Sequence, residues 1–331
     1  MPQQQLVLVI GATGAQGLAA GVQRNSPAKG VEVFEGSTDD FSSVLAALQD
    51  VYGVFVNTDS FTIGEEKEVF AGIRIFELAK QVPTIKHYVW SNLEYISKLT
   101  GYNPEYHCAH YDGKGRVGEF LKLQPSEPTH DGFSWSQLST CPYMDMLKIM
   151  TFGPLNKRAD GTVVFATPIG AGKVPMIALS DLGFFARYIF DHRVETSGKD
   201  LQVTSDMVGW DYLANTFQRV TGQKAVVVYQ SIEEWNNNFN NVDLPLASDH
   251  KGPITPDTMT WRKNFTAWWK IYRDGILHRD MEWIRKVNPN GHTLESWMRE
   301  SNYMGVYEPQ TLKGVEDGKS ISPRQEIVTK L

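Results

Sequence analysis

The chain has 331 residues, 41% of them apolar and 21% charged, and its formal charge is 32 − 38 = −6. That length exceeds one minimal domain and suits a large α/β domain with a smaller appendage, and the composition is ordinary for a globular protein. The negative balance argues against direct nucleic-acid or anionic-membrane binding, two cysteines exclude a disulfide framework, and no apolar run is long enough to span a bilayer.

The N-terminus passes from Met-Pro-Gln-Gln-Gln directly into a strand-like stretch, Leu6–Ile10, without the basic and long apolar segments of a signal peptide. That strand runs straight into Gly11-Ala-Thr-Gly14-Ala-Gln-Gly17. Gly11 permits a sharp bend, Gly14 permits close approach of a pyrophosphate, and Gly17 permits close packing of the next helix on the sheet. A glycine trio alone is weak evidence, but one placed directly after an apolar strand points to a dinucleotide.

Residues 18–30 then hold room for one short helix and a loop before the next strand candidate, Val31–Phe34. They cannot hold a helix, a strand and another helix, so the first βαβ unit is shortened. Three readings stay open. Arg24, beside Asn25, forks its guanidinium onto the 2′-phosphate of NADP. Alternatively, Val31–Phe34 takes the second-strand position and Glu35, ending it, accepts a ribose 2′-hydroxyl, which favours NAD. In the third, the shortened unit binds no dinucleotide well.

Further along, a helix over Asp40–Gln49 precedes a strand at Val51–Asn57. A helix over Glu65–Gln81 places Val69, Ile73, Phe76 and Ala79 on one face. Strands at His87–Ser91 and Phe133–Leu138 flank a helix over Lys114–Leu123. The pattern predicts an α/β, Rossmann-type, doubly wound parallel sheet. The second half predicts helices at Asp181–His192, Trp210–Val220 and Thr258–Leu277, and strands at Thr162–Ala166 and Ala225–Tyr229. Seven of nine tryptophans fall after residue 200, which suits a packed aromatic core with some residues lining a pocket. The division expected is a dinucleotide-binding domain over 1–150, with returns to about 200, a smaller α/β lobe over 151–315, and a loose tail over 316–331. The last three residues, Thr329-Lys330-Leu331, differ from a peroxisomal S-K-L in the first position, so a cytoplasmic location is expected, with the nucleus left open.

With these segments laid out, the chain resembles the NmrA-like family of atypical short-chain dehydrogenases, from about Gln5 to Gly305. The marks are GATGAQG at 11–17, RNSPA at 24–28, GVEVFEG at 30–36, HYVWSNLE at 87–94 and HYDGKGRVGEFL at 110–121. CPYMDML at 141–147, KVPMIALSDLG at 173–183 and HTLESWM at 292–298 continue the series. The resemblance implies an NADP-preferring Rossmann domain with a smaller C-terminal lobe and a cleft between them. It implies a phosphate loop of Gly11, Thr13, Gly14, Ala15, Gln16 and Gly17, and Arg24 on the 2′-phosphate. It further implies that Asn57 and Thr58 flank the nicotinamide-side ribose, that Lys114 lies close to the nicotinamide, and that Tyr143 and Asp145 border the cleft. Residues 18–30 depart from the family pattern by about one helix and one strand.

Reduction of a carbonyl needs an acid to protonate the developing alkoxide. Short-chain dehydrogenases supply a Tyr-x-x-x-Lys pair and a strand-end serine. Here Ser91 stands at a strand end, and Tyr111 precedes Lys114 by three positions with Gly113 between. Tyr111, Lys114 and Ser91 are therefore the catalytic candidates, with Tyr106, His107, His110 and Tyr143 as other possible acids. His107, Cys108 and His110 lack a second ligand pair at suitable spacing, so no metal is expected. Two functions follow. One is an NADP-dependent oxidoreductase acting on a small organic carbonyl or related substrate. The other is a non-catalytic, redox-sensing regulator binding a partner protein such as a transcription factor, a role known in the family.

Overall fold

A computed structural model describes residues 5–12, 14–19, 32–308 and 321–331. Thr13 and Arg24 lie outside the described residues, as does Val31. The chain divides into two compact units, one of residues 1–98, 109–140 and 182–203, the other of 99–108, 141–181 and 204–331.

The first unit is built on a parallel sheet. Its strands are β1 (Val7–Ile10), β2 (Gly53–Val56), β3 (His87–Asn92) and β4 (Ser134–Ser139), followed by Asp200–Gln202, and they lie side by side in that order. Val7 pairs with Gly53, Gly53 with His87, His87 with Ser134, and Gln137 with Asp200. Strands β2 to β4 are buried along their whole length, as expected of a parallel sheet covered on both faces. Adjacent residues of β3 show the two faces: His87 meets Phe190 at 5.4 Å between ring centroids, whereas Tyr88 meets Phe76 at 5.0 Å. The sheet is thus doubly wound.

The helices around it are α1 (Ala15–Ala19), α2 (Phe41–Ala47), α3 (Ser60–Ile63), α4 (Glu65–Lys80), α5 (Ile96–Leu99) and α6 (Ala109–Lys122). Asp40 caps α2 by accepting from the Ser42 and Ser43 amides, and Asp59 caps α3 through Phe61 N–H. Phe76 of α4 sits at the centre of the core, edge-on to Tyr88, Phe120 and Phe133. The buried stripe of α4 is Glu68, Ala71, Gly72, Ile75, Phe76 and Ala79, with Leu78 beside it. Val69 and Ile73, expected on that face, are only partly buried, because the stripe is rotated by about one residue.

Two expectations are corrected. Residues 32–37 form no strand, and Val33 is 87% and Phe34 54% exposed. Among the described residues β1 has β2 as its strand neighbour and nothing takes the second-strand place, so Glu35 does not end a strand there. The alternation of Val31–Phe34 carries β propensity, but a strand needs a partner ladder as well as a pattern. The tail is likewise not loose over its described residues 321–331. Ser322–Pro323 pairs antiparallel with Phe239–Asn240, Val328 is buried, and the Arg158 guanidinium donates to the Leu331 main-chain oxygen.

The second unit carries a three-stranded sheet of Ala225–Tyr229, Val163–Thr167 and Asn156–Lys157, and a two-stranded pair of Val174–Met176 with Asp206–Val208. Its core is aromatic: Phe152 stacks on Trp268 at 5.2 Å, and Trp210, Trp235 and Trp269 meet edge to face around them. The helix Trp261–Arg273 contributes Trp268 and Trp269. Among the described residues no helix is long and apolar enough to cross a membrane.

Candidate functional site

Because β1 to β4 run parallel, their carboxyl ends share one edge, which is where open α/β sheets receive ligands. The glycine turn leaves β1 at that edge. Gly11 has φ +80°, and a Cβ there would lie 2.5 Å from the Asn57 carbonyl oxygen. The Gly14 amide donates to the Gly11 carbonyl at 3.0 Å. Gly17 packs on the same turn, and a Cβ there would be 2.4 Å from both the Gly11 oxygen and the Ala12 Cα. Two of the three glycines are therefore required by the chain itself.

Gly14 is different. Among the described residues, a Cβ at position 14 would meet only the Gly11 carbonyl oxygen, at 3.4 Å, an ordinary contact. Packing does not demand a glycine there, whereas a pyrophosphate brought close to the turn does. The turn fits a dinucleotide on this ground. Ala15, partly buried, opens α1, and Gln16, buried, accepts from Ser91 Oγ of β3.

The second part of the site forms where β2 ends. Lys114 of α6 extends its Nζ to the Thr58 carbonyl at 2.8 Å, Thr58 Oγ1 at 3.1 Å and Asn57 Oδ1 at 3.3 Å. A fourth oxygen, Glu68 Oε1 from α4, lies at 3.1 Å, and the Trp90 ring lies 5.4 Å away. Glu68 is wholly buried, and its carboxylate also accepts from Thr58 Oγ1 at 2.6 Å and from Ser60 Oγ. This packing depends on the glycines of α6. A Cβ at Gly113 would lie 2.6 Å from Glu68 Oε2, and one at Gly115 would lie 2.4 Å from the Tyr95 backbone. Trp90 Nε1 donates to the Lys114 carbonyl at 3.2 Å, which ties the helix to β3.

Three residues named from the sequence, Asn57, Thr58 and Lys114, thus meet in one hydrogen-bonded cluster, and Gly11 packs against the first of them. The tyrosine and serine candidates are placed otherwise. Helix α6 begins at Ala109, not at Lys114, because its glycines are stabilised by close packing that helix propensity does not register. Tyr111 therefore lies inside the helix, 1% exposed, with its ring edge-on to His110. Ser91 is fully buried and its hydroxyl is engaged with Gln16.

Glu68 and Ser60 escaped the sequence reading. The signal available was a carboxylate four residues before Gly72 and eight before Phe76, heading an otherwise apolar helix face. Asp112 was also missed. It is wholly buried and accepts from the Ser97 amide at 3.0 Å and from Ser97 Oγ, which anchors α5 to α6.

The model of the NmrA-like family matches residues 20–251. The chain is 27% identical to an NmrA-like family domain-containing oxidoreductase, hkm9, of Aspergillus hancockii, in an alignment covering 75% of this chain and 81% of that protein. Among solved structures it is similar to NmrA, described as a negative transcriptional regulator and crystallised with NAD. The TM-score is 0.66 at 16% identity, over 90% of this chain and 95% of that one. It is equally similar to the NADPH-dependent quinone oxidoreductase QOR2 of Escherichia coli, crystallised with NADPH. There the TM-score is 0.66 at 16% identity, over 90% of this chain and all of that one.

Proposed function

The chain belongs to the NmrA-like family, and from that premise we propose that it is an NADP(H)-dependent oxidoreductase acting on a small organic carbonyl or a related acceptor. The observation that carries the reading is Gly14, a glycine that packing among the described residues leaves unexplained in a turn at the carboxyl edge of the sheet. A curated oxidoreductase among the relatives, and fold neighbours crystallised with NAD or NADPH, support the same cofactor class.

In this reading Gly11, Gly14, Ala15, Gln16 and Gly17 hold the diphosphate, and Asn57, Thr58 and Lys114 hold the nicotinamide-side ribose. The bound cofactor supplies the hydride. The chain's part is to fix the ammonium of Lys114 at the end of β2 and to keep Gln16 in place through Ser91. The alternative NAD assignment through Glu35 has lost its structural support, since residues 32–37 form no strand.

Paired calorimetric titrations with NADPH and NADH test the reading, followed by NADPH consumption with a panel of quinones, aldehydes and ketones. Tighter NADPH binding and turnover of at least one acceptor support it. Absence of heat with either dinucleotide overturns it.

One observation favours a second reading, a dinucleotide-sensing regulator without turnover. The serine and tyrosine that short-chain dehydrogenases present to substrate are here buried at Ser91 and Tyr111. Tight binding without turnover, together with a partner-protein affinity that depends on the cofactor's redox state, would support that reading instead.

A further inference from the structure

We infer that Glu68 is the positioning residue of the dinucleotide site: it holds Lys114 in register with Asn57 and Thr58. The inference rests on the proposed cofactor reading and extends it to a residue of a different helix.

Glu68 is wholly buried and the Lys114 side chain is 8% exposed, so their ion pair is desolvated on both sides. Such a pair gives little net stability, because the desolvation cost approaches the Coulombic gain, and two apolar side chains of similar volume would hold α4 to α6 as well. Stability therefore does not account for a carboxylate at this place, whereas orientation does.

Both oxygens of Glu68 are fixed. Oε1 faces the Lys114 ammonium and the Thr58 hydroxyl, and Oε2 accepts from Ser60 Oγ at the start of α3. The missing Cβ of Gly113 leaves room for Oε2. The carboxylate cannot rotate without breaking a bond to α3 or to the end of β2. It sets the ammonium where the Thr58 carbonyl and the Asn57 amide oxygen complete its shell. Two other acidic groups on these elements have partners of their own. Glu65 pairs with Arg116 at 3.2 Å, and Asp112 accepts from Ser97. A positioning residue differs from a structural one in a specific way: its loss acts on cofactor affinity through Lys114 and has no effect once Lys114 is gone.

The test is a double-mutant cycle on the full chain, read as the NADPH Kd per competent site from calorimetric stoichiometry, with circular dichroism to verify folding. Glu68→Gln and Lys114→Met are each expected to weaken binding about ten-fold, and the double variant to bind no more weakly than Lys114→Met alone. Losses that multiply in the double variant, or wild-type affinity in Glu68→Gln, overturn the inference. A purely structural role would lower the number of competent sites and the Tm but leave Kd unchanged. If Glu68→Gln fails to fold, Ser60→Ala removes one of the carboxylate's two clamps and is expected to weaken binding about three-fold; unchanged Kd there overturns the inference. A wild-type protein that binds neither NADPH nor NADH overturns the cofactor reading instead, so the two failures are distinguishable.

Discussion

Ser91 Oγ donates to Gln16 Oε1, joining β3 to the glycine turn across a sequence separation of 75 residues. Both side chains are buried. The serine named as a catalytic candidate in the sequence is thus seated, in this structure, as a buried strut beneath the glycine turn.

Ser91→Ala removes that strut without leaving a bulky void. The expected outcome is a KM for NADPH raised about three- to ten-fold with kcat little changed, as befits the loss of one buried hydrogen bond of about 1 kcal/mol. A kcat reduced by several orders of magnitude at unchanged KM would return Ser91 to the catalytic set. Steady-state kinetics with NADPH as the varied substrate decide between them.

Two glycines of the turn separate folding from binding. Gly17→Ala forces a Cβ onto the Gly11 oxygen and Ala12 Cα, and is expected to destabilise the protein by about 1–3 kcal/mol. At position 14 a Cβ meets no comparable obstacle among the described residues, so the urea midpoint of Gly14→Val should stay closer to wild type than that of Gly17→Ala while dinucleotide binding disappears. Tight NADPH binding by folded Gly14→Val would mean that the phosphates lie elsewhere.

Lys114→Met leaves the Glu68 carboxylate buried without its counter-charge, at an expected cost of about 3–5 kcal/mol. Adding Glu68→Gln should recover most of that loss, because the remaining groups are neutral: the amide oxygen accepts from one of the Thr58 and Ser60 hydroxyls, and the amide NH2 donates to the oxygen of the other. Urea unfolding of the two variants side by side measures the recovery. Equal stability of both would show that the ion pair is better hydrated than its burial indicates.

His87, fully buried on β3, gives the first unit an acid sensitivity. Ser136 Oγ donates to the Thr196 carbonyl at 2.8 Å, so it accepts from His87 Nε2–H at 2.9 Å. Desolvation by burial, assisted by the nearby Arg193 charge, pushes the imidazole down from 6.5 to about 3. Between those values the unfolded chain takes up a proton that the folded chain refuses. Stability therefore falls as pH drops through this window, by at most about 1.4 kcal/mol per pH unit from this group. His87→Gln should flatten the dependence of the urea midpoint on pH between pH 4 and 7. An unchanged slope would assign the acid loss to other groups.

Much of the sheet was legible in the sequence. The strands expected at Leu6–Ile10, Val51–Asn57, His87–Ser91 and Phe133–Leu138 all occur, with ends moved by at most two residues, because apolar runs between glycines and helices have few other solutions. The family motifs named Lys114, Asn57 and Thr58 one by one, and the fold shows them hydrogen-bonded together. What escaped depends on partners distant in sequence. Glu68 reads as a solvated helix carboxylate until Lys114, far along the chain, is brought to it. Val31–Phe34 reads as a strand although residues 32–34 have no ladder. The start of α6 was placed too late because glycine counts against a helix in any local reading.

That same helix bears on the order in which the molecule is assembled. Gly113, Gly115 and Gly118 each lower its intrinsic stability by about 1 kcal/mol relative to alanine, so α6 has little tendency to form in an isolated or nascent chain. In the folded unit its turns are held by packing on β3, α4 and the loop at Tyr95. Lys114 rides on this helix, so its reach to Asn57 and Thr58 depends on that packing. A chain with its sheet formed but α6 unpacked is expected to hold the glycine turn without the lysine, and the proposed site would then be half built.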